Sequence, residues 1–433
     1  MEKKLSFKVL FTLVVLGACW SIVYIVPFIQ YIWYNPFQEF LGATNVQMGL
    51  LLTIYGFGNV FGAPIGGWVA DRFNYKYVYV ASVLLNGILA LIFVMSPNYT
   101  MAIICWIGFA VSGLFMNYPT HIKIVRELAS DENQGKVFGI NESMIGLFNI
   151  IFNAIMMAIY VKFLEGIAGM KAAIIGIGIL SFVLTFVVAL VLENPKKKAA
   201  LAEDAAQDAV PADAAPKSSF AKDFLVIIKN PATWLVGISI FAVYSFLTTM
   251  SYFTPYFTDV LGVTVVFTGW IAILRQHGMT LIGAPLGGFL TDKLKSPSKV
   301  LIGVYIVGIL GFIYLLNAKT GVNAGILIAL TILLSGIVYV ARGSYYATIT
   351  EAGVSREYTA STIGIAAALG FSPDLFQFTL FGHWLDNYGK SAYTYMFIYQ
   401  TIVLVIGIVA AGAIIRISKK NKLPGLVNEP TWI

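Results

Sequence analysis

The sequence predicts an all-α polytopic membrane protein with twelve transmembrane helices, set as two pseudo-symmetric six-helix bundles. Three observations carry this. Hydrophobic residues make up 58% of the 433 residues and charged residues only 11%, against roughly a quarter charged in a soluble protein. Apolar runs long enough to span a bilayer recur from one end to the other. A twelve-residue stretch, GAPIGGWVADRF at 62–73, returns as GAPLGGFLTDKL at 283–294.

The apolar runs place spans 1 to 12 at 8–34, 46–69, 76–95, 101–124, 136–161, 168–192, 233–257, 266–290, 299–317, 323–348, 360–385 and 392–416. Span 1 follows MEKK, as a secretory leader would. Its run is too long for one and no small-residue cleavage site follows, so it reads as a helix. Between spans 6 and 7 lies Glu193–Asp223, rich in Ala, Lys and Asp and poor in large apolar residues, the composition of a linker. The organisation expected is a first bundle at 1–192, a cytoplasmic linker at 193–230 and a second bundle at 231–433.

Lys and Arg orient the chain. With both termini inside, the inner segments hold 22 of the 28, and the outer ones hold four: Lys162, Lys171, Lys319 and Lys390. That bias predicts cytoplasmic termini, and the compact loops suit a bacterial inner membrane. The net charge of +7 sits in short clusters between apolar runs, as loops beside anionic lipid require and a nucleic-acid face does not. Cys19 and Cys105 both fall inside spans, so neither a disulfide framework nor a metal site is indicated.

The two halves repeat beyond the quoted stretch. Leu41-Gly42 matches Leu261-Gly262, and Tyr24-Ile-Val-Pro27 resembles Tyr252-Phe-Thr-Pro255. Parallel six-helix repeats place a solute site between the halves near the midplane, with alternating access by rocking of one half against the other. Gly58, Gly62 and Gly66 lie four apart on span 2, and Gly283 and Gly287 repeat that spacing on span 8; such stripes let helices approach closely.

G-x-x-x-D-R at Gly67–Arg72, with its second copy at Gly288–Lys293, resembles the signature of the major facilitator superfamily, in the two loops where that family carries it. The twelve spans, central linker and inside termini extend the resemblance over nearly the whole chain. It implies a secondary transporter, usually a monomer, in which Asp71 and Arg72 with Lys76 help hold one gate, and Asp292 and Lys293 form a second latch. The sequence departs from the family pattern at Asn74, at Lys76 and at Ser296-Pro297.

Ionisable groups inside spans are costly and so are functional candidates. Arg275 lies nine residues into span 8, about 13 Å at ~1.5 Å per residue. Its planar fork suits a carboxylate, phosphate or sulfonate. Either it anchors an anionic solute, or it forms a structural ion pair with Asp374 or Glu142. Asp374 follows Pro373 near the middle of span 11, and is either a proton-coupling group or a satisfied structural acid. His277 reads as a packed histidine or a proton carrier. Glu142, Gly146, Asn149 and Asn153 form one polar stripe on span 5; Glu142 is a proton-coupling or gate candidate. Arg342 either reaches the cavity, pairs with Glu351 or extends to the cytoplasm. Tyr24, Tyr55, Tyr252, Trp20, Tyr244 and Thr248 complete the candidate lining. His121 carries little gate signal.

No GxxxxGK[ST], HExxH or CxxC occurs, and no Ser-His-Asp arrangement stands out, so neither an ATP-driven pump nor an enzyme is indicated, and no cofactor. The function expected is proton-coupled transport of a small polar solute, an organic anion. The alternatives are a neutral sugar or nucleoside symporter, a multidrug exporter, or a membrane sensor that transports nothing.

Overall fold

The computed structural model describes residues 6–128, 134–193, 227–317, 323–354 and 359–421. The linker stretch 194–226 lies outside them. Ten helical stretches among the described residues are long and apolar enough to cross a bilayer. One of them, Thr362–Lys420, holds two predicted spans, and the Gly-rich helix Asn45–Arg72 supplies the remaining pass. No strand occurs among the described residues.

Several helix starts are written in side chains that accept an otherwise orphaned backbone N–H. Ser6 caps Phe7–Ile25, Thr44 and Gln47 form a capping box on Asn45–Arg72, and Asn98, Asn230 and Asn323 cap spans 4, 7 and 10. Asn74 accepts from the Lys76 N–H at 3.1 Å and so caps Tyr75–Met95. The departure from the family pattern at that position therefore supplies the start signal of span 3.

Prolines and a few irregular turns break the spans. Span 1 stops at Ile25 and resumes as Gln30–Leu41, because Pro27 has no N–H to continue the ladder. Span 7 divides into Pro231–Ser251 and Phe253–Asp259, and span 11 into Thr359–Gly370 and Pro373–Tyr388. In span 11 the break lies at Phe371-Ser372, just ahead of Pro373, which has no N–H to continue the ladder. Spans 4 and 8 each contain one π-helical segment, Val111–Asn117 and Leu274–Gly278.

Contacts divide the chain into two compact units, Met1–Asp213 with Thr264–Ile273, and Ala214–Val263 with Leu274–Ile433. Within the first, span 1 packs on span 5, span 2 on span 4 and span 3 on span 6. Within the second, span 7 packs on span 11, span 8 on span 10 and span 9 on span 12. The sequence repeat is thus a repeat of pairings. The glycine stripes set the closest of them. A Cβ on Gly66 would lie 2.6 Å from the Phe115 carbonyl oxygen, and one on Gly287 would lie 2.1 Å from that of Val340. Neither space admits a side chain.

The loop between spans 8 and 9 is held from span 10. Glu351 accepts from the Ser296 hydroxyl and from the Ser298 N–H, the latter at 2.9 Å. A carboxylate here satisfies donors at the start of Pro297–Asn317 and meets the positive end of its dipole. Glu351 is therefore committed to this loop and not to Arg342. Glu351→Ala is expected to lower stability by about 1–2 kcal/mol, the usual loss of a helix cap, read as a fall in melting temperature in detergent. Glu351→Gln, which still accepts, should recover part of it. Equal melting of all three proteins would show that the contact contributes nothing.

Candidate functional site

In the second unit the candidate residues gather around two places. The first is Arg275, on the π-helical turn Leu274–Gly278 of span 8. Such turns insert a residue into the ladder and recur at functional sites. Arg275 is 1% exposed. Its Nη2 donates to the Thr254 hydroxyl at 2.9 Å. Its guanidinium carbon lies 5.9 Å from the ring centres of both Phe253 and Phe257. All three partners come from the short helix Phe253–Asp259, beyond the break in span 7.

Among the described residues the guanidinium makes no further hydrogen bond or ring contact. Its Nε and Nη1 are buried without a hydrogen-bond acceptor, and it enters no ion pair among the described residues. The ion pair with Asp374, one of the alternatives for Arg275, is therefore not formed among the described residues. Leaving buried donors unmet costs about 1–3 kcal/mol each, more for a charged group. The two aromatic faces return about 0.5–2 kcal/mol apiece. A cation so placed is short of an anionic partner.

The second place is Asp374, 2% exposed in the first turn of Pro373–Tyr388. Its carboxylate accepts from the Tyr244 hydroxyl at 2.8 Å, and the helix N-terminus favours its charge. One turn on, Gln377 enters a buried network with Ser245, Thr249 and Gln400 that ties spans 7, 11 and 12 together. Ser245 Oγ lies 2.7 Å from Gln377 Oε1 and 2.9 Å from Gln400 Oε1, and Gln377 Nε2 donates to Thr249 Oγ1 at 2.9 Å. Of the other span-7 candidates, Tyr252 donates to the Phe378 carbonyl at 2.9 Å and Thr248 bonds within its own helix. His277 is half-buried, two residues beyond Arg275, and Arg342 is exposed at the end of Ala324–Arg342.

In the first unit the lining candidates meet at the π-helical segment of span 4. Tyr24 donates to the Gly113 carbonyl at 3.1 Å, and a Cβ on Gly113 would touch the Tyr55 hydroxyl at 2.5 Å. Trp20 packs against Tyr24, with ring centres 4.8 Å apart, and against His121 at 4.6 Å. On span 5, Asn153 is buried and donates back to the Asn149 carbonyl at 2.8 Å, while Glu142 is exposed. The buried polar centre of this unit is His121, which sequence reasoning undervalued. Its Nδ1 is 2.9 Å from the Tyr79 hydroxyl and its Nε2 is 3.1 Å from Asn141 Oδ1. The signal was the set of three polar residues, one in each of spans 3, 4 and 5, in otherwise apolar runs.

The family model of the Major Facilitator Superfamily matches residues 9–376. The chain belongs to this superfamily.

Among curated relatives, it is 27% identical over 419 residues to Inner membrane protein YihN of Escherichia coli (strain K12), covering 95% of this chain and 96% of that protein. It is 25% identical over 388 residues to Inner membrane protein YqcE of the same organism, covering 88% of each. Among solved structures, it resembles a bacterial homologue of the human lysosomal transporter Spinster, with a TM-score of 0.74 at 15% identity, covering 97% of this chain and 99% of that one. It also resembles a D-xylose–proton symporter, with a TM-score of 0.72 at 14% identity, over 95% and 97%. The fold is that of the superfamily.

The superfamily loop motif is described only in part. The side chains of Gly67 and Asp71 lie outside the described residues. Arg72 is exposed, and Lys76 is half-buried beside the Asn74 cap. In the second copy Asp292 and Lys293 are exposed, and a Cβ on Gly288 would meet open space. The packing glycines are Gly66 and Gly287, one residue before each motif.

Proposed function

We propose that this protein is a secondary active transporter of a small organic anion, coupled to protons and working by alternating access. It acts as a monomer in a cytoplasmic membrane with both termini inside. The observation that carries the reading is Arg275, a buried cation with two N–H positions lacking an acceptor. In this reading Arg275 anchors the anionic head and Thr254 orients the guanidinium. Tyr24, Tyr55, Tyr252, Asn149, Asn153 and Arg342 face the rest of the solute. Asp374 carries the proton and hands its hydrogen bond from Tyr244 between states. Glu142 and His277 serve the same transfer, and the two loop motifs latch the gates.

The test is uptake of labelled hexuronates and hydroxy acids into proteoliposomes with an imposed pH gradient. The wild type should accumulate the anion only while the gradient lasts. Asp374→Asn should lose that accumulation by about ten-fold or more, the scale of a lost proton-transfer group, yet keep exchange of internal for external solute. Accumulation of neutral sugars but not of anions would support a sugar or nucleoside symporter instead. Gradient-driven accumulation by Asp374→Asn would remove Asp374 from coupling.

A further inference from the structure

We propose that the solute head recognised at Arg275 is a monovalent oxyanion, a carboxylate or a sulfo group, and that doubly charged phosphate esters are excluded. This rests on the reading of Arg275 as the anion anchor.

The first argument is geometric. A guanidinium carries five N–H donors, arranged as two edges that each offer two parallel bonds. Nη2 contributes one proton to each edge. Thr254 takes one of these at 2.9 Å, while Nε and Nη1 remain without acceptors. Whichever Nη2 proton Thr254 uses, one complete edge is left, made of Nη2 with Nε or with Nη1. One free edge accepts one oxyanion through two of its oxygens.

The second argument is charge balance. More than five residues from either end of a predicted span the chain has two Lys or Arg residues, Arg275 and Arg342. Arg342 is exposed at the end of its helix, whereas Arg275 is buried. A monovalent head on Arg275 gives a neutral pair in a dry site. A divalent head leaves a net negative charge there, and unbalanced charge is what a low-dielectric interior tolerates least. The third argument is the lining. The Phe253 and Phe257 rings stand 5.9 Å from the guanidinium carbon. Aromatic faces carry negative quadrupole density, which favours a cation and repels surplus negative charge.

The experiment titrates the purified full-length protein in detergent by thermal shift. Two bodies are used, hexose and glycerol, each as its carboxylate, its sulfate ester and its phosphate ester. A sulfate ester has the shape of the phosphate but one charge at every pH used, so it also reports any titration of the protein itself. The carboxylate and sulfate arms decide which monovalent head fits better. A phosphate ester gains its second proton near pH ~6, so if only the monoanion binds its apparent affinity should rise about 70-fold between about pH 8 and about pH 5.5. The sulfate ester of the same body should change little. Arg275→Gln should lose the response to every anion, and if it is not recovered folded, Arg275→Lys should weaken the response by removing the two-point contact. A phosphate ester that binds at least as well at the higher pH as the sulfate, through Arg275, would overturn the monovalent assignment and leave the anchor standing. Equal response of wild type and variant, or no response to any anion of either body, would overturn the anchor itself.

Discussion

Arg275→Met is expected to melt at a higher temperature than the wild type when both proteins are empty, and to show no stabilisation by anions. In the empty protein Arg275 is a buried cation with one hydrogen bond, two aromatic faces and two N–H positions without acceptors. Methionine fills similar length without a charge to desolvate. Replacing buried ionic groups by apolar ones of similar volume is neutral or stabilising by about 1–4 kcal/mol. Two unmet buried donors, at about 1–3 kcal/mol each, are removed, and two cation–π contacts, at about 0.5–2 kcal/mol each, are lost, so the middle of these ranges gives a net gain of about 1–2 kcal/mol. Thr254 keeps an outlet for its hydroxyl, because a helical threonine can donate to the carbonyl one turn back. The wild type, by contrast, should gain about 2.7 kcal/mol from a ligand at ~100 times its dissociation constant. This crossover is the signature of a site that gives up stability for function. A structural arginine predicts the opposite sign. If Arg275→Met melts well below the wild type, its contacts to Thr254, Phe253 and Phe257 are there to hold span 8 against span 7, and the anchor reading falls.

Gly287→Val is expected to prevent recovery of folded protein, and Gly287→Ala to destabilise it severely. A Cβ at this position would lie 2.1 Å from the Val340 carbonyl oxygen and 2.9 Å from its carbon. The obstacle is backbone, so no side-chain rotation relieves it, and spans 8 and 10 must separate. Separation would also break the Ser344 hydroxyl contacts to the Gly287 carbonyl at 3.0 Å and to the Thr291 hydroxyl at 2.9 Å. Overpacking of this kind costs about 1–3 kcal/mol where neighbours can give, and more where they cannot. Gly288 is the control, since a Cβ there meets nothing within 4 Å. Size-exclusion profiles of the Gly287 and Gly288 alanine variants read the contrast. A monodisperse Gly287→Ala protein with wild-type melting would show that the contact is loose.

The glycine pair shows how far a repeat can be read. Four-residue spacing in both halves was visible as a packing stripe, and the structure pairs span 2 with span 4 and span 8 with span 10 along it. The break in span 11 was likewise legible, because Pro373 lacks an N–H wherever it stands. Arg275 and Asp374 stood out as candidates because a charge in an apolar run is costly in any fold. What each one touches was not legible. Thr254 and Phe257 are common residues in an apolar run, and only the break in span 7 turns them towards span 8. Gln377 lies three residues after Asp374, on the same helix face, yet its partners Ser245 and Gln400 come from two other spans.

The sequence by itself determined the class of protein: bilayer-length apolar runs, the two-fold repeat and the division of charge allow one kind of fold, since in lipid each backbone group must be satisfied within its own helix. The tertiary structure decided which buried polar groups are satisfied and which are left wanting. His121, with both ring nitrogens met by Tyr79 and Asn141, and Arg275, with Nε and Nη1 unmet, are alike in the sequence as single basic groups in apolar runs. They differ because hydrogen-bond satisfaction depends on residues brought together from separate helices, which no spacing along one helix encodes.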